Sequence, residues 1–299
     1  MRLSPLAYRR VTFWVLAALA VIVVSGAAVR LSGSGLGCTD WPNCEQGRLA
    51  PSEMSDAPAM IEFTNRMVTG IVSIAVIVAV LGARRRRIRR PDLELLAWGL
   101  VVGVIAQILL GGLVVLFDLS PRLVMGHFAL SMLIVWNAVV LHHRAGLPDD
   151  RPDPHPSAGS VGPLARVVVA AAGIVVFTGT VVTAAGPHAG DSQAARLDLA
   201  IHDAARVHGV AVVILLGLTI AFRKAAADEG APGEVRTAGR VLFLVLLAQG
   251  AIGYVQYFTG VPVLLVALHI CGALAVWVAA TRLPLVAAAP VGTGELVRA

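Results

Sequence analysis

Eight runs of apolar residues, separated by short polar stretches, take up most of the chain. They lie at about Val11–Val29, Ile61–Ala83, Leu95–Leu116, Leu123–Leu141, Leu164–Ala184, Ile201–Phe222, Val241–Phe258 and Val261–Ala280. A hydrocarbon core about 30 Å thick takes roughly 20 apolar residues in a helix, so each run predicts one membrane-spanning helix. The first run resembles the core of a signal peptide. It is long, however, ends on Arg30 rather than a small-residue cleavage site, and is followed by further spans, so it reads as a retained helix. The expected fold is an all-α integral membrane protein of eight transmembrane helices.

The polar stretches set an orientation. Arg9-Arg10, the run Arg84-Arg85-Arg86-Arg87-Ile88-Arg89-Arg90, His142-His143-Arg144, Arg223-Lys224 and Arg282 all fall on one side of an eight-span chain. The positive-inside rule places that side, with both termini, in the cytoplasm. The arginine runs read as solvated topology signals. Leu147–Pro163, with Pro148, Pro152, Pro154 and Pro156, reads as a cytoplasmic linker. It divides an N-terminal four-helix half (1–146) from a C-terminal four-helix half (164–299).

The halves read as copies. Ser25-Gly26-Ala27-Ala28-Val29, Gly33 and Gly37 line up without gaps with Thr178-Gly179-Thr180-Val181-Val182, Gly186 and Gly190. Ala106-Gln107 and Gly111 match Ala248-Gln249 and Gly253, and the same offset carries His127 onto His269. Four spans per copy is an even number, so two parallel repeats are expected, related by an axis along the membrane normal. The glycines in the spans read as close-packing positions.

Composition agrees with a membrane protein and excludes a soluble domain. Apolar residues make up 57% and charged residues 14% of 299 positions, with mean hydropathy +0.80, against about 25% charge in soluble domains. The net charge of +6 lies in the topology signals, so it does not indicate a nucleic-acid partner; the expected surroundings are the lipid bilayer of the plasma (inner) membrane. Three cysteines leave room for one disulfide. Cys38 and Cys44 lie in the outer loop between the first two spans, in the oxidising compartment where a bridge persists. Cys271 reads as a packing residue.

Ionisable side chains inside a span are costly and point to function. Each even-numbered helix carries a polar residue a little inside its outer end: Asn65, His127, His208 and His269. At 1.5 Å per residue each lies roughly 6–12 Å from its helix start. The repeat pairs His127 with His269 and, within one residue, Asn65 with His208. Facing helices of a bundle can offer two imidazoles to one haem iron, whereas zinc would require four donors, and neither a second cysteine nor a carboxylate lies at suitable depth. His202 is a rival ligand nearer to water. His142, His143 and His155 read as solvated and cytoplasmic, and His188 as part of an outer loop. Glu62 and Arg66 flank Asn65, either as an exposed i, i+4 pair or as an acid/base carboxylate with an arginine facing a haem propionate.

The stretch Gly26-Ala27-Ala28-Val29-Arg30-Leu31-Ser32-Gly33-Ser34-Gly35-Leu36-Gly37-Cys38-Thr39-Asp40-Trp41-Pro42-Asn43-Cys44 resembles the first-helix and loop signature of heme A synthases. Glu62-Phe63-Thr64-Asn65-Arg66 resembles their second-helix motif, Gly126-His127 their fourth-helix histidine, and Val207-His208-Gly209 and Leu268-His269 the histidines of their second half. The resemblance implies an enzyme of cytochrome oxidase assembly that oxidises the C8 methyl of heme O to a formyl group by successive hydroxylations. It implies a haem b cofactor on His208 and His269. Heme O, as substrate, would lie near catalytic Glu62 with His127, Asn65 and Arg66. Heme O synthase and cytochrome oxidase subunits are the partners it suggests, with quinone one candidate electron acceptor. Many members of that family carry histidine where this chain has Asn65, so a bis-histidine site is not expected in the first half. Two other classes share parts of the pattern. A non-enzymatic dihaem cytochrome b would need the histidines but not Glu62, and a transporter would show helices broken at mid-membrane.

Reporter domains fused after Arg90, Arg144 and Lys224 should report cytoplasm, and those within 51–59 or beside His188 the outside. Reversal at any one loop would remove a span and with it the equal depth of the histidines.

Overall fold

The computed structural model describes residues 2–45, 47–149 and 159–288. Most of the expected linker, His155 with it, and the C-terminal tail lie outside the described residues. Among the described residues eight helices form: α1 (Pro5–Leu31), α2 (Ala57–Arg84), α3 (Pro91–Leu116), α4 (Pro121–Ala145), α5 (Val161–Ala185), α6 (Ile201–Asp228), α7 (Gly233–Phe258) and α8 (Val263–Ala287). All eight are long and apolar enough to cross a membrane, and the chain is a multi-pass membrane protein. In hydrocarbon a helix satisfies its backbone groups internally, which leaves side chains alone to carry chemistry.

Local chemistry sets the helix ends. Ser4 caps α1 by accepting from Ala7 N–H, with Pro5 behind it, and Asp56 caps α2 through Ala59 N–H. Pro91 and Pro121 open α3 and α4. The tight turns after α3 and α7 place their middle residues at positive φ, Asp118 and Leu119 in one, Gly260 and Val261 in the other. Val261 was expected inside the eighth span. Its φ of 59° takes it out of the helix, which starts at Val263. Elsewhere the helices overrun the apolar runs, most visibly α6 and α7, because a helix can continue into water after its hydrophobic segment has ended.

The helices make two rings of four. In the first, α1 packs on α2 and α4, and α3 completes the ring between α2 and α4. In the second, α5 packs on α6 and α8, with α7 between α6 and α8. The rings meet through α4 on α8, α4 on α5 and α1 on α8. Exchanging the two rings maps this set of neighbours onto itself. Fully buried alanines (Ala79, Ala83, Ala97, Ala165, Ala172 and Ala280) let the backbones approach closely, while Trp14, Ile74, Leu95 and Leu264 face outward. At the join, Trp277 Nε1 donates to the Met132 carbonyl at 2.8 Å, and Trp136 meets Trp277 edge-on.

Several polar positions differ from expectation. Arg86, in the run read as solvated, is buried: it pairs with Asp149 and lies 5.4 Å over the Tyr8 ring. Backbone bonds of Leu3 to Arg85 and Arg87 close that corner. His142 is half-buried, its Nδ1 3.1 Å from the Thr12 hydroxyl. Both are drawn in because a helix-end side chain beside a neighbouring helix can find a partner there without water. Cys271 is exposed and free rather than packed, since it projects from α8 away from the ring.

Candidate functional site

The four polar residues singled out on the even helices lie near the loop ends of α2, α4, α6 and α8. About 9–12 Å of helix axis separates each from its helix's first residue. In the second ring, α6 and α8 are diagonal rather than adjacent, and across that diagonal His208 faces His269. The ring centroids are 6.5 Å apart and the planes 73° from parallel. Thr178 on α5 lies 3.1 Å from Nδ1 of His208, which leaves Nε2 as the ring nitrogen available to a ligand. Two metal–imidazole bonds of about 2 Å each, with a ring radius at either end, account for a separation of this size. Among the described residues no three His, Cys, Asp or Glu side chains converge on a metal-ion site. Two opposed imidazoles suit instead a metal already held in plane by a macrocycle, as in a bis-histidine haem.

What holds these histidines in place was only half visible in the sequence. Gln249 on α7 donates from Nε2 to the backbone carbonyl of His269 at 2.7 Å. Gln107 on α3 makes the same bond to His127 at 2.9 Å and a second to Ser131 Oγ at 2.6 Å. One turn further along each helix a glycine receives the imidazole. A Cβ on Gly253 would stand 3.0 Å from Cε1 of His269, and one on Gly111 3.1 Å from Cε1 of His127. The matched Gln and Gly of the two halves thus form a seat, the amide fixing the height of the histidine and the glycine admitting its ring. Oε1 of each glutamine and Nδ1 of each histidine are buried without a partner.

The first ring differs on the α2 side. Asn65, in the place corresponding to His208, accepts from the Ser25 hydroxyl at 2.8 Å. Above it the α1–α2 loop closes the ring. Cys38 and Cys44 are disulfide-bonded and fully buried. Glu62 is buried, taking the Cys38 N–H on Oε2 at 2.8 Å and Arg66 on Oε1 at 2.6 and 3.2 Å. Arg66 spends its remaining donors on the carbonyls of Asp40, Pro42 and Asn43. Of the two readings of this pair, the exposed one does not hold: Glu62 and Arg66 form an internal post carrying the disulfide loop. Trp41 lies on Gly112 of α3, where a Cβ would collide with its indole, and Gly37 lies against the backbone at Pro58. Residue spacing carries no sign that Arg66 faces loop carbonyls, because that contact depends on how the loop folds back.

The other histidines stand apart. His202 is exposed, with Nε2 3.2 Å from Asp203 Oδ1. His188 holds the Val261 carbonyl at 2.9 Å and so fastens the α5–α6 loop to the α7–α8 turn.

Two rings of four helices, with His208 and His269 on diagonal helices of the second, define a polytopic membrane protein whose second ring has the donors that a flat macrocycle would need. The chain belongs to the family described as Cytochrome oxidase assembly protein, whose model matches residues 9–281. Similar proteins include one named Heme A synthase from Lysinibacillus sphaericus, 37% identical over 122 residues, which are 40% of this chain and 39% of that protein. A Heme A synthase of Shouchella clausii is 35% identical over 133 residues, 44% of this chain and 43% of its own length. One of Listeria welshimeri is 35% identical over 40% of each chain. The chain thus spans about two fifths of the length of these curated relatives.

Removing the post should open the loop. Breaking a buried pair costs on the order of 3–5 kcal/mol because one charge is left uncompensated. Arg66→Gln should therefore lower the melting temperature in detergent and make the Cys38–Cys44 bridge reducible in native membranes, as read by thiol labelling. Arg66→Lys should not restore protection, because an ammonium cannot fork between Glu62 and the loop carbonyls. A bridge that stays protected in Arg66→Gln would show the loop to be held by other contacts.

Proposed function

We propose that this protein is a heme A synthase, an oxidoreductase that converts the C8 methyl of heme O to a formyl group by successive hydroxylations. The observation that carries the reading is the diagonal pair His208 and His269, spaced for a bis-imidazole haem and seated by Gln249 and Gly253. The family and the relatives named Heme A synthase support it. In this reading the two rings are parallel repeats with both termini cytoplasmic. The second half holds haem b on His208 and His269. The first half takes heme O against His127, with Asn65 opposite, and Arg66 frames the site by fixing Glu62 and the loop. Heme O synthase and cytochrome oxidase subunits are the partners for delivery and use.

A haem b held by His208 and His269 would supply electron transfer. The rest falls to the chain and the substrate. Loss of two electrons and a proton from the methyl leaves a cation conjugated to the porphyrin. Water adds to that cation and releases a second proton, giving the hydroxymethyl. A second round gives the geminal diol, which loses water to become the formyl group. The electrons leave for an acceptor such as quinone. Glu62 takes the proton. It sits about one turn nearer the loop than Asn65, and the lid of the Cys38–Cys44 loop keeps bulk water from it.

His208→Ala or His269→Ala should remove the low-spin b-type spectrum of the purified protein, while His202→Ala leaves it intact. Gln249→Leu should weaken haem retention about tenfold to a hundredfold, the usual effect of losing a partner behind a metal ligand, and Gln107→Leu should not touch that spectrum. Low-spin absorbance surviving in both histidine variants would dismiss the assignment.

Glu62→Gln keeps the shape and can still accept from Cys38 N–H but takes no proton at neutral pH. Extracted haems should then show heme O or its hydroxylated form accumulating and heme A falling by about a hundredfold, the scale of a lost general base. The melting temperature should fall with loss of the ion pair, but the disulfide should stay protected, because Arg66 keeps its bonds to the carbonyls of Asp40, Pro42 and Asn43. Near-normal heme A with that variant would confine Glu62 to holding the loop.

A further inference from the structure

The two rings treat the position opposite their Gln-seated histidine differently. In the second ring the α6 imidazole is wedged in: Thr178 meets its Nδ1 at 3.1 Å, and a Cβ on Gly179 would stand 3.2 Å from its Cε1. The first ring keeps the hydroxyl and the glycine, as Ser25 and Gly26, but Asn65 replaces the imidazole. Ser25 bonds to Asn65 Oδ1 at 2.8 Å, and a Cβ on Gly26 would meet no atom within 4 Å. The shorter side chain leaves free the room that the His208 ring fills in the other half. Ser25 also lines an open apolar groove of about 350 Å³ on α1, with Ala20, Val21, Val24 and Ala28.

We infer that the first ring is a binding site for a small uncharged ligand of the diatomic class, on the face of a haem opposite His127. This rests on the reading that the first half holds haem. An asparagine amide is too weak a donor to close the sixth position of iron, and His127 is then the one strong protein ligand. With Oδ1 taken by Ser25, the Nδ2 hydrogens of Asn65 are the groups available to an axial ligand. A hydrogen-bond donor on that face is a setting that governs whether a haem holds dioxygen. The apolar groove on α1 that Ser25 lines is open to the bilayer, in which a small uncharged molecule dissolves and a charged ligand would pay heavily for leaving water.

The test uses the full-length protein in detergent, loaded with haem b or heme O, reduced, and exposed to carbon monoxide as the probe. Wild type should bind carbon monoxide at one haem of its two, leaving the other low-spin. His127→Ala should abolish that carbon monoxide complex and leave the low-spin haem. Asn65→His should supply the missing imidazole and lower the carbon monoxide-reactive fraction by about tenfold or more, as a sixth protein ligand competes for the iron. Asn65→Leu should still bind the probe but raise its C–O stretching frequency, the mark of a lost donor, which a purely structural Asn65 would not do. Two haems per chain, both low-spin and inert to carbon monoxide, would overturn the inference and leave the proposed function standing. Haem content and carbon monoxide binding both unchanged in His127→Ala would instead overturn the reading that the first half holds haem.

Discussion

The hydrogen bond from a glutamine amide to the backbone carbonyl of a histidine, made once in each ring, sets the geometry on which the site depends. Within a helix that carbonyl already accepts from the residue one turn on, and the second bond uses its remaining lone pair to lock one helix against the next at the level of the imidazole. In a bilayer there is little hydrophobic drive for helix to seek helix, so bonds and close packing of this kind decide register. A shift of one residue along α8 would turn His269 by about 100° and carry it away from His208. The depth and direction of the imidazoles thus follow from α3 and α7, helices that contribute no ligand.

The loop ends of the two rings are closed by different means. The first has the disulfide, the Glu62–Arg66 post and Trp41 on Gly112. The second has His188 on Val261, the Leu197 N–H on Ala184, and apolar contact of Leu119 with Ala189 and Ala194. Leu119 comes from the first ring's α3–α4 turn, and Arg30 of α1 donates to the Thr183 carbonyl while Gly35 N–H donates to Gly190. The lids are therefore fastened to each other as well as to their own rings, and a movement that opens one loads the other.

Much of this was legible in the sequence, for identifiable reasons. Eight helices follow from the length of apolar runs, a constraint so strong that only their ends differ, where Gly233 and Asp228 extend helices past the hydrocarbon. His208 and His269 stood out because an imidazole in an apolar run is costly and both recur at matched depth. The buried Glu62–Arg66 post was hidden, since i, i+4 spacing is the same for an exposed pair and one folded over by a loop. Arg86 was misjudged for the same reason: its neighbours in sequence are solvated, but Tyr8 and Asp149 reach it from remote segments. Gln107 and Gln249 were visible as a repeat and silent as to purpose, because their target is a main-chain atom that leaves no mark in the sequence.

The symmetric way in which α4 meets α8, with α4 on α5 mirrored by α8 on α1, has a consequence for how such a molecule diverges. Two separate four-helix chains meeting through that contact would form a homodimer, and any substitution in one would appear in both. Joined end to end, positions 65 and 208 are copied from different stretches of one gene and drift independently. A histidine can then be replaced in one ring while its counterpart is kept, and two like positions come to differ without either ring leaving the shared wall between them.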